Sequence, residues 1–350
     1  MKRKKGEVQV TKSKRITELD YVRGFALLGI LLTNIIAMYE FDNIADNKQA
    51  NYLALIDFFV DNKFFSIFSF LFGIGFYIFI RNSKAKGLNS NLLFIRRMAI
   101  LATFGILHQL LQPGEALLPY ALFGLILLPF SYLNKYINLI AGVLLLLIAI
   151  LIGDKFFLIL PYFLLGLAVG KFELFSNIKI KTVKVLSLIS GSIALICWYI
   201  LYSLYVLPSY KLIDNSLSGQ KLNNYIQSKE LYDYMIVATS PFISLFYISF
   251  ILLIGKTTIG NKILLLLQNY GRMALTNYVG QTIFIWLMIS IFNRSQIQQS
   301  DTFWMCIIIY VIQLTIAYWW LKRFTYGPLE YLWRVGTYWS IKNIKNKNID

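Results

Sequence analysis

Apolar runs about as long as a bilayer crossing fill most of this chain of 350 residues. A helix needs about 20 apolar residues to span the hydrocarbon core of a membrane, and ten runs approach that length. They are rich in Leu, Ile and Phe and do not alternate with polar residues, which favours helices over barrel strands. We therefore predict an all-α integral membrane protein with about ten transmembrane helices. The runs lie near 22–39, 64–80, 94–111, 117–133, 136–152, 156–170, 183–206, 231–254, 271–292 and 302–321.

Two parts of this pattern are less regular. The runs 136–152 and 156–170 are short and are separated only by Gly153, Asp154 and Lys155, so they form either two spans or one re-entrant pair. The stretches 51–60 and 262–270 have an amphipathic pattern, and we expect them to lead into the second and ninth spans.

The composition excludes both a water-soluble globular domain and a disordered chain. Hydrophobic residues make up 57% of the sequence and charged residues only 15%, which is too apolar for a hydrated surface or a solvated chain. Cys197 and Cys306 lie inside apolar runs without the spacing of metal ligands. We therefore expect neither a disulfide framework nor a metal site.

Charged residues separate between the two sides of the membrane when the N-terminus is placed in the cytoplasm. The predicted inner segments then carry 25 Lys or Arg and 6 Asp or Glu, whereas the outer segments carry 7 and 11. An excess of positive charge is typical of the cytoplasmic side. The sequence thus predicts a multi-pass protein of an inner or plasma membrane with both termini in the cytoplasm.

This topology divides the chain into three parts. Residues 1–21 form a basic cytoplasmic segment, 22–321 a single transmembrane domain, and 322–350 a cytoplasmic tail rich in aromatic and basic residues. We interpret the basic run at residues 2–5 as a topology signal that contacts lipid headgroups, and not as a nucleic-acid-binding arm.

Polar side chains are costly inside a membrane, so those in the first two predicted spans are candidate functional residues. Arg23 and Asn34 are eleven residues apart, which is three helical turns, and therefore share one face. The second span carries a stripe of polar residues at a spacing of three: Lys63, Ser66 and Ser69. Such a stripe serves either to line a substrate path or to pack helices closely, and both interpretations stand at this point.

His108 is the only histidine of the chain and lies near the outer end of the third predicted span. Glu115 follows seven residues later, after a Pro-Gly turn that can fold its carboxylate back toward the imidazole. A carboxylate beside a histidine fixes its tautomer and raises its basicity, as a general base requires. The alternative is a structural hydrogen bond from His108 to a carbonyl group.

Further polar residues open the ninth predicted span. Asn277 and Gln281 are one helical turn apart and share a face. Hydrogen bonds between helices explain them as well as a bound ligand does.

In this order the clusters resemble the YeiB-type family of bacterial membrane proteins, and the resemblance implies a location in the bacterial cell membrane. The matching segments cover nearly the whole chain: Leu19–Asn34, Lys63–Gly75, Arg96–Ala121, Gly271–Gln281 and Gly327–Arg334. That family more distantly resembles the transmembrane acyltransferases, including heparan-α-glucosaminide N-acetyltransferase and enzymes that O-acetylate envelope polysaccharides. Asp20, Arg23 and Asn34 match the first-helix pattern of this wider group.

The resemblance implies an acyltransferase that moves an acyl group from a cytoplasmic donor, acyl-CoA, to a hydroxyl or amine of an extracytoplasmic acceptor. His108, oriented by Glu115, would act as the base or acyl carrier, and Asn34 would assist it. The donor-binding residues would lie at the inner ends of the spans, with the phosphates on the arginines: Asp20, Arg23, Arg96, Arg97 and Arg272. The substrate path would be lined by polar residues of the second and ninth spans: Lys63, Ser66, Ser69, Asn277 and Gln281.

The competing interpretation is a transporter or channel for a small anion or metabolite, whose path the same residues would line. The expected partners are membrane lipids, the acyl donor and its acceptor, with no nucleic acid. Whether the protein forms a homo-oligomer is left open by the sequence.

Overall fold

The computed structural model describes residues 16–39, 41, 47–175, 178–205, 219–292 and 297–341. The basic run at residues 2–5 and the last residues of the tail, 342–350, lie outside these ranges. Within the described ranges every regular element is a helix, which confirms the all-α prediction. The α-helices in chain order are α1 (Thr17–Tyr39), α2 (Asn47–Phe59), α3 (Lys63–Ala85), α4 (Ser90–Gln109), α5 (Leu117–Leu127), α6 (Lys135–Ile152), α7 (Ile159–Lys171), α8 (Ile180–Ser203), α9 (Gln220–Gly255), α10 (Thr258–Arg272), α11 (Ala274–Ile291), α12 (Asp301–Arg323) and α13 (Pro328–Tyr338).

Polar residues and glycine set several helix ends. The side chains of Asn89 and Asn134 accept hydrogen bonds from the amides of the first turns of α4 and α6, at 3.1 and 2.8 Å. These caps satisfy amide groups that have no partner within the helix. Gly153 ends α6 in the left-handed conformation at φ 76°, which glycine adopts at little cost.

Each predicted span coincides with a helix, but two of the helices are short. Among the described residues, eight candidate spans are long and apolar enough to cross a membrane, one of them covering α2 and α3 together. By contrast, α5 has 11 residues and α7 has 13. A rise of 1.5 Å per residue makes them about 17 and 20 Å long, well below the bilayer core of about 30 Å.

The physical cause of the short α5 and α7 is local. In the predicted span 117–133, a 3-10 turn at Pro129–Ser131 follows the end of α5, because proline cannot donate the next helical hydrogen bond. The predicted span 156–170 begins with a second 3-10 turn at Lys155–Leu158 before α7. Its partner α6 has 18 residues and is long enough to cross alone.

Large apolar side chains cover the outer faces of α6 and α8. Leu151 is 77% exposed on α6, and Leu188 is 73% exposed on α8. An apolar surface of this kind on both helices fits contact with lipid chains and does not fit contact with water. The fold is thus an all-α integral membrane protein.

Glycines bring the central helix α3 against α7. A side chain at Gly73 would reach within 2.1 Å of the Phe163 carbonyl oxygen, and one at Gly166 within 2.1 Å of the Phe70 carbonyl oxygen. The two backbones therefore touch where both residues lack a side chain, as is common between helices in membranes. This contact fixes α3 in the bundle, with α1 and α4 on its other sides.

The helix ends form two layers with opposite charge. The layer that we call the basic end contains the first residues of α1, α4, α6 and α8 together with α10 and α13. Its ion pairs include Lys256 Nζ with Glu18 Oε1 at 2.9 Å and Arg81 Nη1 with Glu173 Oε1 at 2.8 Å. The opposite layer, which we call the acid end, contains the starts of α3, α5, α7 and α12. Its carboxylates include Asp57, Asp61, Glu115, Asp154, Asp233 and Asp301.

Candidate functional site

A cavity of about 590 Å³ lies between α1, α3, α4, α5 and α11, and α13 lines one end of it. Phenylalanines of α3 form an aromatic stripe along its wall: Phe65, Phe68, Phe72, Phe76 and Phe79. Residues at spacings of three and four share one face of a helix, and the stripe extends about 21 Å along the axis. The cavity therefore follows the bundle over much of the thickness of a bilayer core, and its two ends differ in chemistry.

Four arginines line the basic end of the cavity, which we call the basic mouth. Arg23 belongs to α1, Arg97 to α4, Arg272 ends α10, and Arg334 belongs to α13. Arg23 and Arg334 lie close enough to Arg97 to interact with its charge. Guanidinium groups gathered in this way favour an anionic ligand, because each presents a planar set of donors that matches phosphate oxygens.

Two glycines place Arg23 beside Arg272. A side chain at Gly24 would come within 2.1 Å of the Leu267 carbonyl oxygen, and one at Gly271 within 2.1 Å of the Asp20 carbonyl oxygen. Helices α1 and α10 therefore cross with their backbones in contact. Each arginine is adjacent in sequence to one of these glycines, so the crossing brings both arginines to the same mouth.

Helix α13 completes the basic mouth with aromatic and charged residues. The guanidinium carbon of Arg97 lies 3.5 Å from the ring centre of Trp333, and Trp333 Nε1 donates to the Arg97 carbonyl oxygen at 2.7 Å. A guanidinium stacked on an indole ring is stabilised by the negative face of the ring. The same side chain thus holds α13 on α4 and fixes the orientation of Arg97.

Glu330 anchors α13 to the start of α11. Its carboxylate accepts hydrogen bonds from the amide of Leu275 at 2.6 Å and from the amide and hydroxyl of Thr276 at 3.1 and 2.6 Å. Burial raises the pKa of Glu330, and the hydrogen bonds from Thr276 and Leu275 oppose that rise. A carboxylate at the first turn of a helix is favoured by the unpaired amide groups there. The carboxylate of Glu330 therefore anchors α13 to α11, and its charge also acts on Arg97.

Asn34, Asp61, Asn62 and Lys155 line the acid end of the cavity. Asn62 has a φ of 60° in the tight turn between α2 and α3, a left-handed conformation that asparagine tolerates better than most residues. Its Nδ2 atom donates to Asp61 Oδ2 at 3.1 Å. None of the described residues hydrogen-bonds the side chain of Asn34. The acid end therefore presents amide, carboxylate and ammonium groups to the cavity.

His108 lies near Glu115, as the sequence predicts, in a buried polar network. His108 Nδ1 is 3.6 Å from Glu115 Oε2, and both side chains are 1% exposed. His108 Nε2 is 2.8 Å from Thr282 Oγ1, whose own proton goes to Gln112 Oε1 at 2.6 Å. Because the hydroxyl has one proton, it accepts from His108 Nε2. The network therefore fixes the proton on Nε2.

The position of this pair argues against direct contact with a substrate. Neither His108 nor Glu115 lines the cavity, whereas Tyr278 and Ala116 do. The ring centres of His108 and Tyr278 are 5.1 Å apart, and the amide of Ala116 donates to Tyr278 Oη at 3.3 Å. Glu115 itself accepts hydrogen bonds from the amides of the first turn of α5, at 2.6 and 2.7 Å. The pair thus lies behind the wall and supports it.

The predicted stripe on α3 lies in contacts with protein groups and not on the cavity wall. The ammonium group of the buried Lys63 donates to the Asp57 carbonyl oxygen, and Ser66 donates to the Asn62 carbonyl oxygen at 2.7 Å. Ser69 Oγ is 2.6 Å from Tyr120 Oη, and Tyr120 lines the cavity. Lysine and serine side chains in an apolar bundle need such partners, which turns them away from the cavity.

The two predicted polar residues of α11 also bond to other helices. Asn277 Nδ2 donates to the Tyr270 carbonyl oxygen at 2.8 Å. Gln281 Nε2 donates to the Leu27 carbonyl oxygen at 3.0 Å and to Tyr270 Oη at 2.8 Å. Neither side chain lines the cavity. Of the two interpretations left open for them, the geometry favours hydrogen bonding between helices.

The predicted donor-binding residues divide into two groups. Arg23, Arg97 and Arg272 meet at the basic mouth, whereas Arg96 faces away and stacks over the Trp339 ring at 4.7 Å. Successive helical residues point about 100° apart, and here Arg96 points away from the wall on which Arg97 lies. Asp20 is 2% exposed and pairs with Arg23, Nη1 to Oδ1, at 2.9 Å.

Comparisons with known proteins show the family to which the chain belongs. An uncharacterized 39.9 kDa protein encoded in an amylase 3' region of Bacillus acidopullulyticus is 42% identical over 332 residues, which are 93% of this chain and 94% of the relative. A model described as a protein of unknown function, DUF418, matches residues 169–340. The uncharacterized protein YeiB of Escherichia coli is 34% identical over 124 residues, 32% of this chain and 30% of its own. The chain belongs to the YeiB-type DUF418 family.

A further relative matches the chain over almost its whole length. The uncharacterized protein YxaH of Bacillus subtilis is 25% identical across 96% of this chain and 97% of its own. No solved structure matches the chain significantly. The DUF418 match contains Arg272, Glu330 and Arg334, whereas Arg23 and Arg97 lie before it.

Several cavity residues were not predicted from the sequence. The sequence predicts only that Trp333 and Arg334 belong to a cytoplasmic tail, although a basic residue beside aromatic residues after the last span is a signal for a docked helix. Asp61 and Asn62 carried no helical pattern, because they lie in a turn. Asp61 and Asn62 line the same cavity as the arginines because α3 packs against α1.

Proposed function

We propose that this DUF418 protein is an integral-membrane acyltransferase whose donor, an acyl-CoA, binds with its phosphates at the basic end of the cavity. The observation that carries the proposal is the cluster of four arginines at one mouth of a long aromatic cavity. Phosphate groups would bind the guanidinium groups, and the pantetheine arm with its acyl group would extend along the phenylalanine stripe of α3. The distant resemblance to transmembrane acyltransferases supports the same reaction.

The acceptor would meet the acyl group at the acid end. Charge sorting predicts that this end faces away from the cytoplasm, so transfer would cross the membrane. Asn34 lies on the wall at this end, and its amide is available to hydrogen-bond the thioester carbonyl as negative charge develops on the oxygen. His108 and Glu115 enter the proposal as supports of Tyr278 and the α5 start, because they lie behind the wall.

A pair of adjacent arginines provides a matched test. Arg97→Gln should raise the dissociation constant for acetyl-CoA by about 10- to 100-fold, as expected for a lost hydrogen bond to a charged group of about 1.5–3 kcal/mol. Arg96→Gln should change it less than about threefold, because Arg96 faces away from the cavity. The measurement is calorimetric titration of the purified full-length protein in lipid nanodiscs. Equal effects of the two substitutions would remove the basic mouth from donor binding.

Transport of an amphipathic anion is the second candidate function. The specific observation in its favour is that residues from both ends of the bundle line one cavity, whereas His108 does not line it. Proteoliposomes separate the two functions. Purified protein that consumes acetyl-CoA and releases free thiol supports acyl transfer, and label that crosses the vesicle membrane without thiol release supports transport.

A further inference from the structure

The turn between α2 and α3 presents a carboxylate to the acid end of the cavity. Asp61 Oδ2 accepts a hydrogen bond from Asn62 Nδ2, at 3.1 Å. No described residue hydrogen-bonds Asp61 Oδ1, and Asp61 lines the cavity. One oxygen thus fixes the orientation of the carboxylate, and the other is available to a ligand.

Asn62 gives a second, independent indication of a ligand at this place. The residue is 8% exposed and lines the cavity, and its Oδ1 atom has no hydrogen-bond partner among the described residues. A buried amide oxygen without a partner is costly, so such atoms generally have a bound group or water in the functional state. A ligand that donates hydrogen bonds would satisfy both Asn62 Oδ1 and Asp61 Oδ1.

We infer that Asp61 is the general base for an acceptor that carries a hydroxyl or amine group, bound between Asp61 and Asn62 at the acid end. This inference rests on the proposed acyl transfer and names the residue that activates its acceptor. Such an acceptor donates hydrogen bonds, which is the chemistry that the two open oxygens require. The lining side chains at this end include no imidazole or thiol among the described residues, so Asp61 is the carboxylate placed to take the proton.

The proton and electron balance of the step is complete without a further reactant. The acceptor oxygen or nitrogen attacks the thioester carbonyl carbon and forms the new bond, while Asp61 takes the acceptor proton. The carbon–sulfur bond then breaks, and the thiolate leaves and takes a proton from Asp61. Asp61 is thereby returned to its ionised form.

Two charged groups, Lys63 and Asp57, lie close enough to Asp61 to interact with its charge, but neither lines the cavity. Lys63 is fully buried, and its ammonium group donates to the Asp57 carbonyl oxygen, so it is held beside the turn and does not line the cavity. Asp233 pairs with Lys229 on the surface of the acid end, where its side chain is 53% exposed. Asp233 therefore provides a matched carboxylate at the same end of the protein but outside the cavity.

The test compares Asp61→Asn with Asp233→Asn in the full-length protein in nanodiscs. Acetyl-CoA is the donor, and water or hydroxylamine is the acceptor, with the uncatalysed reaction of hydroxylamine subtracted. Hydroxylamine attacks thioesters without prior deprotonation and so depends less on a base. Donor affinity is measured separately, because the donor phosphates bind at the opposite end.

We expect Asp61→Asn to lower acetyl-CoA hydrolysis by about 100-fold or more and hydroxylamine transfer by less than about tenfold, with donor affinity unchanged. Asp233→Asn should leave both reactions as in the wild type. Unchanged hydrolysis in Asp61→Asn, or equal loss of both reactions, would overturn the assignment of the base.

The same experiment distinguishes the two proposals. If the wild-type protein binds acetyl-CoA but consumes it with neither acceptor, Asp61 is not a general base, whereas the proposed donor site still holds. Wild-type protein that neither binds nor consumes acetyl-CoA overturns the proposed acyl transfer, and the base assignment falls with it.

Discussion

At the scale of single residues, the buried imidazole of His108 has two different neighbours. Nε2 donates to Thr282, and Nδ1 faces a carboxylate oxygen of Glu115 at 3.6 Å. Neither His108 nor Glu115 lines the cavity, which agrees with a supporting role behind its wall.

His108→Gln should therefore reduce stability more than it reduces turnover. We expect unfolding to become easier by about 1–3 kcal/mol, because glutamine cannot serve both Thr282 and Glu115 and leaves a buried polar group without its partner. Thermal unfolding in detergent and acetyl-CoA consumption are measured on the same preparation. Turnover at least about 100-fold lower with unchanged stability would instead make His108 a catalytic base.

At the scale of helices, contacts between backbones determine where the arginines lie. Gly24 and Gly271 let α1 and α10 touch, and Trp333 and Glu330 hold α13 against α4 and α11. The arginines come from four helices, so their cluster exists only while these contacts hold.

Gly24→Ala should disrupt the crossing of α1 and α10. The added methyl group would meet the Leu267 carbonyl oxygen at 2.1 Å, and a backbone atom cannot move aside without shifting the helix. We expect a loss of stability of about 1–3 kcal/mol, as for other overpacked sites, together with weaker acetyl-CoA binding.

Gly75→Ala is the control for this change. Nothing lies within 4 Å of the position that its side chain would take, and alanine favours a helix over glycine by about 1 kcal/mol. Thermal unfolding should therefore occur at the same or a higher temperature in Gly75→Ala. If both alanine variants unfold like the wild type, the close crossing of α1 and α10 does not hold the site.

At the scale of the whole molecule, the bundle has a basic end and an acid end, and the cavity runs between them. The positive-inside pattern predicts that the basic end faces the cytoplasm. The donor phosphates would then come from the cytoplasm, and the acceptor would be reached from outside.

Cysteine labelling tests this sidedness. The native cysteines, Cys197 and Cys306, are buried, so a membrane-impermeant thiol reagent should leave them unmodified in intact cells. Lys221→Cys, at the start of α9, should react from outside, whereas Lys86→Cys, after α3, should react only in permeabilised cells. The reverse pattern would exchange the two sides and place the proposed donor site outside the cytoplasm.

The sequence by itself determined the properties that depend on local pattern. Long apolar runs predicted the membrane helices. Lipid offers no hydrogen-bond partners, so the backbone of an apolar segment must form its hydrogen bonds within a helix. The single histidine and its carboxylate were paired correctly, since Glu115 follows His108 after one turn. Arg23 and Asn34 were placed on one helix face by their spacing, and the structure puts both on the cavity wall, at its opposite ends.

Only the tertiary structure decided which polar residues face the cavity. Lys63, Ser66, Ser69, Asn277 and Gln281 have the pattern of a lining, but each has a hydrogen-bond partner in the protein within the described residues. Arg96 and Arg97 are equivalent in sequence, and the docking of α13 gives them different surroundings. The physical reason is that an apolar environment requires every polar group to find a partner, and that partner is usually distant in sequence.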